Sequence, residues 1–215
     1  MTLPEGSAIA ASERRGIAVL GGAFDPPHLA HRKLVRAALE RLPVREVRVI
    51  PAGDHPHKRA AAMAPVAHRV AMCRLAFAAE PRVVVDDRET RRAGPSFTAD
   101  TLAELAAEHP HARLFFLIGS DNLSLLPTWR DHHRLLALAT VVTYPRLGHP
   151  VRESELAALD LTPSERSTLL ANVLDLPADA TAARDLRRRW QQGERDLAEI
   201  DPAVRDHIDA HGLYR

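Results

Sequence analysis

Apolar and polar positions fall along this chain in short blocks. Residues 17–21, "IAVLG", are a β-branched run ended by Gly-Gly, the pattern of a strand entering a turn. Leu29, Leu34, Val35, Ala38 and Leu42 then recur at helical spacing up to Pro43. "EVRVIPA" (46–52) is the next strand, followed by the polar loop "GDHPHKRA", and a helix is expected from about Pro65 to Glu80. "RVVVDD" (82–87) reads as a third strand. The loop "RETRRAGP" then leads to Ser96 or Thr98 as the N-cap of a helix over "ADTLAELAAEH". "RLFFLIG" (113–119) is the most hydrophobic strand, and its low polarity predicts burial on both faces. A helix over 128–138 and a strand at 140–144, "TVVTY", follow. After "PRLGHP" come charged helical stretches, the apolar run "NVLDL", a helix from about Thr181 to Gln192, and a last helix opened by Pro202 and ending near Gly212.

Strands alternating with helices through short connections predict an α/β fold: a Rossmann-like doubly wound parallel sheet, helices on both faces, and a small helical C-terminal part. Residues 1–15 read as a flexible lead-in and 16–215 as a single domain, with the helical subregion from about 150. Ligands of such sheets bind at the carboxyl ends of the strands. That rule selects the loops 21–31, 51–59, 94–100, 119–130 and 177–184.

Composition narrows the function classes. Hydrophobic residues make up 46% of the 215 positions but aromatic ones only 4%, so the core is aliphatic and Ala-rich. The 29 basic and 28 acidic residues nearly cancel, and nothing in that balance demands nucleic acid or an anionic membrane. The single cysteine, Cys73, excludes an intramolecular disulfide and a multi-cysteine zinc site. No run approaches the about 18 apolar residues of a membrane span, and the N-terminus lacks the pattern of a secretion signal. The expected location is cytoplasmic. Many of the twelve histidines lie in polar stretches, where solvent exposure is the default.

"GGAFDPPHLAH" (21–31) is the densest stretch of chemistry. Gly21 and Gly22 after a strand let the backbone approach a ligand and take torsions denied to other residues. The start of the next helix offers N–H groups and partial positive charge, which suit phosphate. His28 and His31, three apart, share a helix face and can donate to phosphoryl oxygens. The bland alternative is a strand–turn–helix with two surface histidines. A zinc site on His-x-x-His would need further ligands, so no metal site is assigned.

These residues resemble the G-G-x-F-D-P-x-H-x-G-H signature of the nucleotidylyltransferase superfamily, and specifically of bacterial nicotinate-nucleotide adenylyltransferases, with Ala30 where that pattern has Gly. Three further segments are similar in order. "PAGDHPHK" (51–58) resembles P-x-x-x-P-H-K; "SFTADTL" (96–102) resembles S-Y-T-x-D-T-L; "IGSDNLSLLPTW" (118–129) resembles I-G-x-D-x-x-x-x-L-P-x-W. A weaker match is "ADATAAR" (178–184), where Asp179 replaces a Ser and Ala183 an Ile of the phosphate-holding helix start. A carboxylate at 179 is unfavourable beside a triphosphate unless it turns away, caps the helix or reaches a metal-bound water.

The resemblance implies adenylyl transfer from ATP to nicotinate mononucleotide, giving deamido-NAD and pyrophosphate. It places Gly21, Gly22, Ala23, Phe24, His28, His31, Gly119, Asp121, Thr181 and Arg184 at ATP. Asp25, Lys58, Thr98, Trp129 and the Arg130 N–H go to the mononucleotide, and His28, His31, Lys58 and Arg184 serve the reaction. Thr98 also reads as a helix cap, Trp129 as core, and the run "RDLRRRW" as a solvated or subunit-facing helix. Mg²⁺ is expected to be held mainly by the phosphates. The expected partners are these small molecules, with no nucleic acid and no membrane, on a monomer or homodimer. Alternatives are preference for nicotinamide mononucleotide or another phosphorylated acceptor such as phosphopantetheine, or a non-catalytic nucleotide-binding regulatory module.

Overall fold

A computed structural model of the chain describes residues 15–53 and 63–215. Lys58, and all but the last residue of the 1–15 lead-in, lie outside the described residues. The elements run β1 (Gly16–Gly22), α1 (Leu29–Arg41), β2 (Val44–Pro51), α2 (Val66–Ala76), β3 (Val83–Val85), α3 (Thr98–Glu108) and β4 (Leu114–Gly119). After a 3₁₀ stretch, Ser120–Thr128, come α4 (His132–Leu138), β5 (Ala139–Tyr144), α5 (Glu153–Ala157), α6 (Pro163–Ala171), α7 (Ala183–Gln191) and α8 (Pro202–Ala210).

The strands form one sheet in the order β3-β2-β1-β4-β5. β4 runs parallel to β1, with Ile17 beside Leu114, and parallel to β5, with Leu114 beside Ala139. The chain therefore steps outward from β1 to β3, returns to β4 on the other side of β1, and ends at β5. Right-handed crossovers on a sheet that reverses direction in this way distribute the connecting helices over both faces. The doubly wound Rossmann-like fold is the one expected. All six residues of β4 are buried.

Packing divides the described residues into two compact units. The first comprises residues through Leu20, Ala37–Val47 and Phe97–Ala180; the second comprises Gly21–Arg36, Arg48–Ser96 and Thr181–Arg215. In the first, Ile17, Phe116 and Val141 of the strands are buried with Leu102 and Leu105 of α3 and Leu135 of α4. In the second, Val49 and Ile50 are buried with Met72 and Cys73 of α2, Leu186 and Trp190 of α7, and Val204 and Ile208 of α8. Each such side chain contributes about 1.5–3 kcal/mol on leaving water. No helix among the described residues is long and apolar enough to cross a membrane.

Three local expectations are corrected. Neither Ser96 nor Thr98 caps α3: Phe97 is the N-cap residue and supplies no side-chain bond, Thr98 is already helical, and Ser96 Oγ donates to Glu89 O at 3.2 Å. The helix expected over 128–138 begins at His132, because Asp131 takes a left-handed backbone at φ 57°. Within the apolar run "NVLDL", Val173 makes a parallel bridge to Thr143 of β5. The run "RDLRRRW" is not simply a solvated face, since Leu186 and Trp190, one turn apart, bury its apolar side.

Candidate active site

The loop after β1 is fixed by an arginine that the sequence patterns left unremarked. Arg69 of α2 is fully buried, and its guanidinium donates to Ala23 O at 2.9 Å, Ala52 O at 2.8 Å and Ala64 O at 3.1 Å. One planar fork therefore ties three carbonyls of separate segments. The Ala52 N–H also donates to Gly22 O at 2.8 Å. The left-handed torsion expected of the glycines falls instead on Phe24, at φ 49°, whose ring is buried and lies 3.3 Å from where a Cβ at Gly22 would sit. A side chain at 22 would crowd the Phe24 ring.

Asp25 was expected at the substrate, but it is only 1% exposed and faces inward. Its Oδ1 accepts from the Tyr214 O–H at 2.6 Å and the Ala64 N–H at 3.0 Å, and its Oδ2 lies 3.2 Å from the Arg187 guanidinium. Arg187 also donates to Asp25 O at 2.6 Å. Burial and the Asp25 charge both push the Tyr214 phenol far above its ordinary range, so it stays an O–H donor. Asp25 is thus the anchor of the loop. Arg187, part of the apparently solvated basic run, is one of its partners.

His28 and His31 come together at the start of α1, with ring centroids 3.8 Å apart and the Phe24 ring 4.9 Å from that of His31. The His28 N–H donates to His31 Nδ1 at 3.1 Å. His28 precedes the first helical residue, so His31 occupies the place from which Glu or Gln closes a capping box. A Nδ1 that accepts must carry its ring proton on Nε2, so His31 presents an N–H donor from that nitrogen. The helix start itself is less open than expected. The N–H groups of His28, Leu29 and His31 all donate internally, to His31 Nδ1, Glu199 O and His28 O. These three backbone N–H groups are therefore already committed within the protein.

Thr181 lies before α7, and Arg184 is exposed on its first turn. The carboxylate at 179 turns to Arg146, with Oδ1 3.9 Å from the guanidinium, while its backbone bridges residues 145–147. Its charge is thereby offset.

In the first unit, β4 ends at Gly119, where a Cβ would stand 2.3 Å from Asp121 Oδ1 and 3.1 Å from the Tyr144 hydroxyl. Only a glycine lets the Asp121 carboxylate fold back there. Asn122 donates to that same oxygen at 3.1 Å. Burial raises the Tyr144 phenol; Arg146 opposes this, and Asp121 and Asp179 add to it. Trp129 is half-buried with Phe116 against its ring edge at 6.0 Å, so one aromatic group combines core contact with an accessible part. Arg130 is exposed, stacks 4.5 Å over Phe97 and lies 3.9 Å from Asp100. Thr98 is half-buried on the first turn of α3.

A doubly wound sheet with a His-x-x-His helix start defines a nucleotidyltransferase architecture, and the cytidylyltransferase-like family matches residues 19–175. Proteins described as probable nicotinate-nucleotide adenylyltransferases are similar over nearly the whole length. Those of Albidiferax ferrireducens and Chromobacterium violaceum are each 40% identical, over 93% of this chain and 98% of the relative. The fold also matches Plasmodium falciparum nicotinic acid mononucleotide adenylyltransferase complexed with NaAD. That match has a TM-score of 0.75 at 19% identity and covers 94% of this chain and 98% of that one. The chain belongs to the nicotinate-nucleotide adenylyltransferase family, nucleotidyltransferases that carry out adenylyl transfer in NAD biosynthesis.

Proposed function

We propose that the 5′-phosphate of nicotinate mononucleotide attacks the α-phosphorus of ATP in line, expelling pyrophosphate and forming deamido-NAD. A phosphate monoester with a second pKa of about 6 is already ionised near neutrality, so the nucleophile needs no general base. Catalysis is then positioning and charge stabilisation. The observation that carries this reading is the His31 ring, held by the His28 N–H with its own proton on Nε2. A donor so fixed suits charge that develops on phosphoryl oxygens.

His28 and His31 act on the phosphates with Lys58, and Thr181 and Arg184 serve the β/γ end. In the first unit, Gly119 and Asp121 serve the nucleoside of ATP, while Thr98, the Trp129 ring and the Arg130 N–H serve the nicotinate. Asp25 works by holding the loop rather than by touching substrate. Mg²⁺ enters with ATP as part of the substrate complex. This fits a loop whose one carboxylate, Asp25, is committed to internal donors. The cytoplasm, where ATP is supplied, is the expected compartment.

The test is pyrophosphate release from ATP with each mononucleotide in turn. Release with the nicotinate form is expected. Release only with the amide would support the second substrate, and none with any phosphorylated acceptor would leave a nucleotide-binding regulatory module.

A further inference from the structure

Outside the loops assigned above, three histidines of the second unit converge. His68 sits in the first turn of α2; His207 and His211, four apart, share a face of α8 at its C-terminal end. The ring centroids are 4.4 Å apart for His207 and His211, 4.7 Å for His68 and His211, and 5.3 Å for His68 and His207. His68 Nδ1 and His207 Nε2 face each other at 3.1 Å, and one ligand nitrogen from each of the three rings lies within 4.8 Å of the others.

We propose that His68, His207 and His211 bind a single divalent transition-metal ion of the zinc type, clamping α2 to α8. Tetrahedral zinc with Zn–N bonds of about 2.0–2.1 Å holds its nitrogens about 3.3 Å from one another. The His68–His207 pair already has nearly that spacing. His211, exposed at the helix end, needs a movement of about 1.5 Å to bring its nitrogen to the same distance. An ion between the two facing nitrogens takes a lone pair from each, so each neutral ring keeps its N–H on the nitrogen that faces away. The backbone that carries the rings is tied down: His68 N–H donates to Pro65 O at 2.9 Å and His211 N–H to His207 O at 3.2 Å. An all-imidazole donor set selects zinc, cobalt, nickel or copper over magnesium and calcium, which take oxygen. Three ligands leave a fourth position for water.

A second cluster, His132, His133 and Asp160, is a poorer candidate. His133 Nδ1 is held by Glu165 at 2.8 Å, and the Asp160 side chain is 80% exposed and 3.9–4.0 Å from the two rings. It serves as the internal control.

The experiment titrates tag-free, metal-free full-length protein with Zn²⁺ by calorimetry and with Co²⁺ by visible absorption. The expected result is saturable uptake of one ion, a tetrahedral Co²⁺ spectrum, and a rise in melting temperature with Zn²⁺. His211→Ala, at an exposed position, and His207→Gln should each weaken binding by at least about 10–100-fold, the scale set by loss of groups around a metal. His133→Ala should leave binding intact. Absence of saturable uptake, unchanged affinity in His211→Ala and His207→Gln, or loss in His133→Ala instead would each overturn the site.

Discussion

The hydroxyl of Tyr214 can be removed with little change of shape, and the arrangement around Asp25 sets the cost. Tyr214 is 8% exposed and its O–H meets a carboxylate oxygen at 2.6 Å. A hydrogen bond to a charged group contributes about 1.5–3 kcal/mol. Asp25 keeps the Ala64 N–H and Arg187 when Tyr214 becomes Phe, so the expected loss lies near the lower end, about 1.5 kcal/mol. With a denaturant slope of about 2 kcal/mol per M, the urea midpoint should fall by about 0.7 M. Asp25→Ala removes the acceptor of the Tyr214 O–H and the Ala64 N–H and the charge partner of Arg187, which keeps its bond to the carbonyl of residue 25. A broken buried pair costs about 3–5 kcal/mol, reduced here because the Arg187 side chain is 23% exposed and can turn to water. Because Asp25 shapes the loop that carries His28, Tyr214→Phe should also raise the KM for ATP more than it lowers kcat. A midpoint shift under about 0.25 M would refute the role assigned to this hydroxyl. So would strict additivity with Asp25→Asn in a double-mutant cycle.

Three further outcomes are expected. His31→Ala should lower kcat by about 10²–10³, the scale for one lost transition-state donor, with stability measured alongside because the His28 N–H also loses its acceptor; near-normal turnover would show that His31 only caps α1. Trp129→Ala should mainly raise the KM for the mononucleotide, and unfolding instead would place its ring with Phe116 in the core. Burial pushes the Asp86 carboxyl up, but the Arg88 hydrogen bonds and the Arg88 and Arg48 charges outweigh this and hold it below its ordinary value of 3.8. The stability it contributes is therefore present above that value and lost as pH falls through the lower folded-state pKa. Acid titration of Asp86→Asn should show a flatter stability curve in that window.

The regular elements were legible because their signals are local. β-branched runs mark β1, β2 and β5, and Pro202 after Asp201 opens α8, where the Asp201 side chain accepts from Ala203 N at 3.0 Å. What escaped were side chains whose partners are distant in sequence. Nothing in the sequence pattern singles out Arg69, and Arg187 lies in a run that reads as a solvated or subunit-facing helix; only packing turns Arg69 onto three carbonyls and Arg187 onto Asp25. The left-handed torsion was expected of glycines by propensity, yet it fell on Phe24, where burial of a large ring accompanies the strain. The odd carboxylate at 179 looked unfavourable in its own segment, and its explanation, Arg146, belongs to another one.

The bond between Asp25 and Tyr214 spans 189 positions of sequence. Synthesis is vectorial, and domains assemble as the chain emerges, so Asp25 leaves the ribosome long before its hydroxyl donor exists. Arg187 and α8 arrive in that same late stretch. A nascent chain stopped short of residue 214 carries the His28–His31 loop without one of the donors that hold its aspartate. Emergence of Tyr214, rather than emergence of the sheet, marks the moment at which that loop becomes fully anchored.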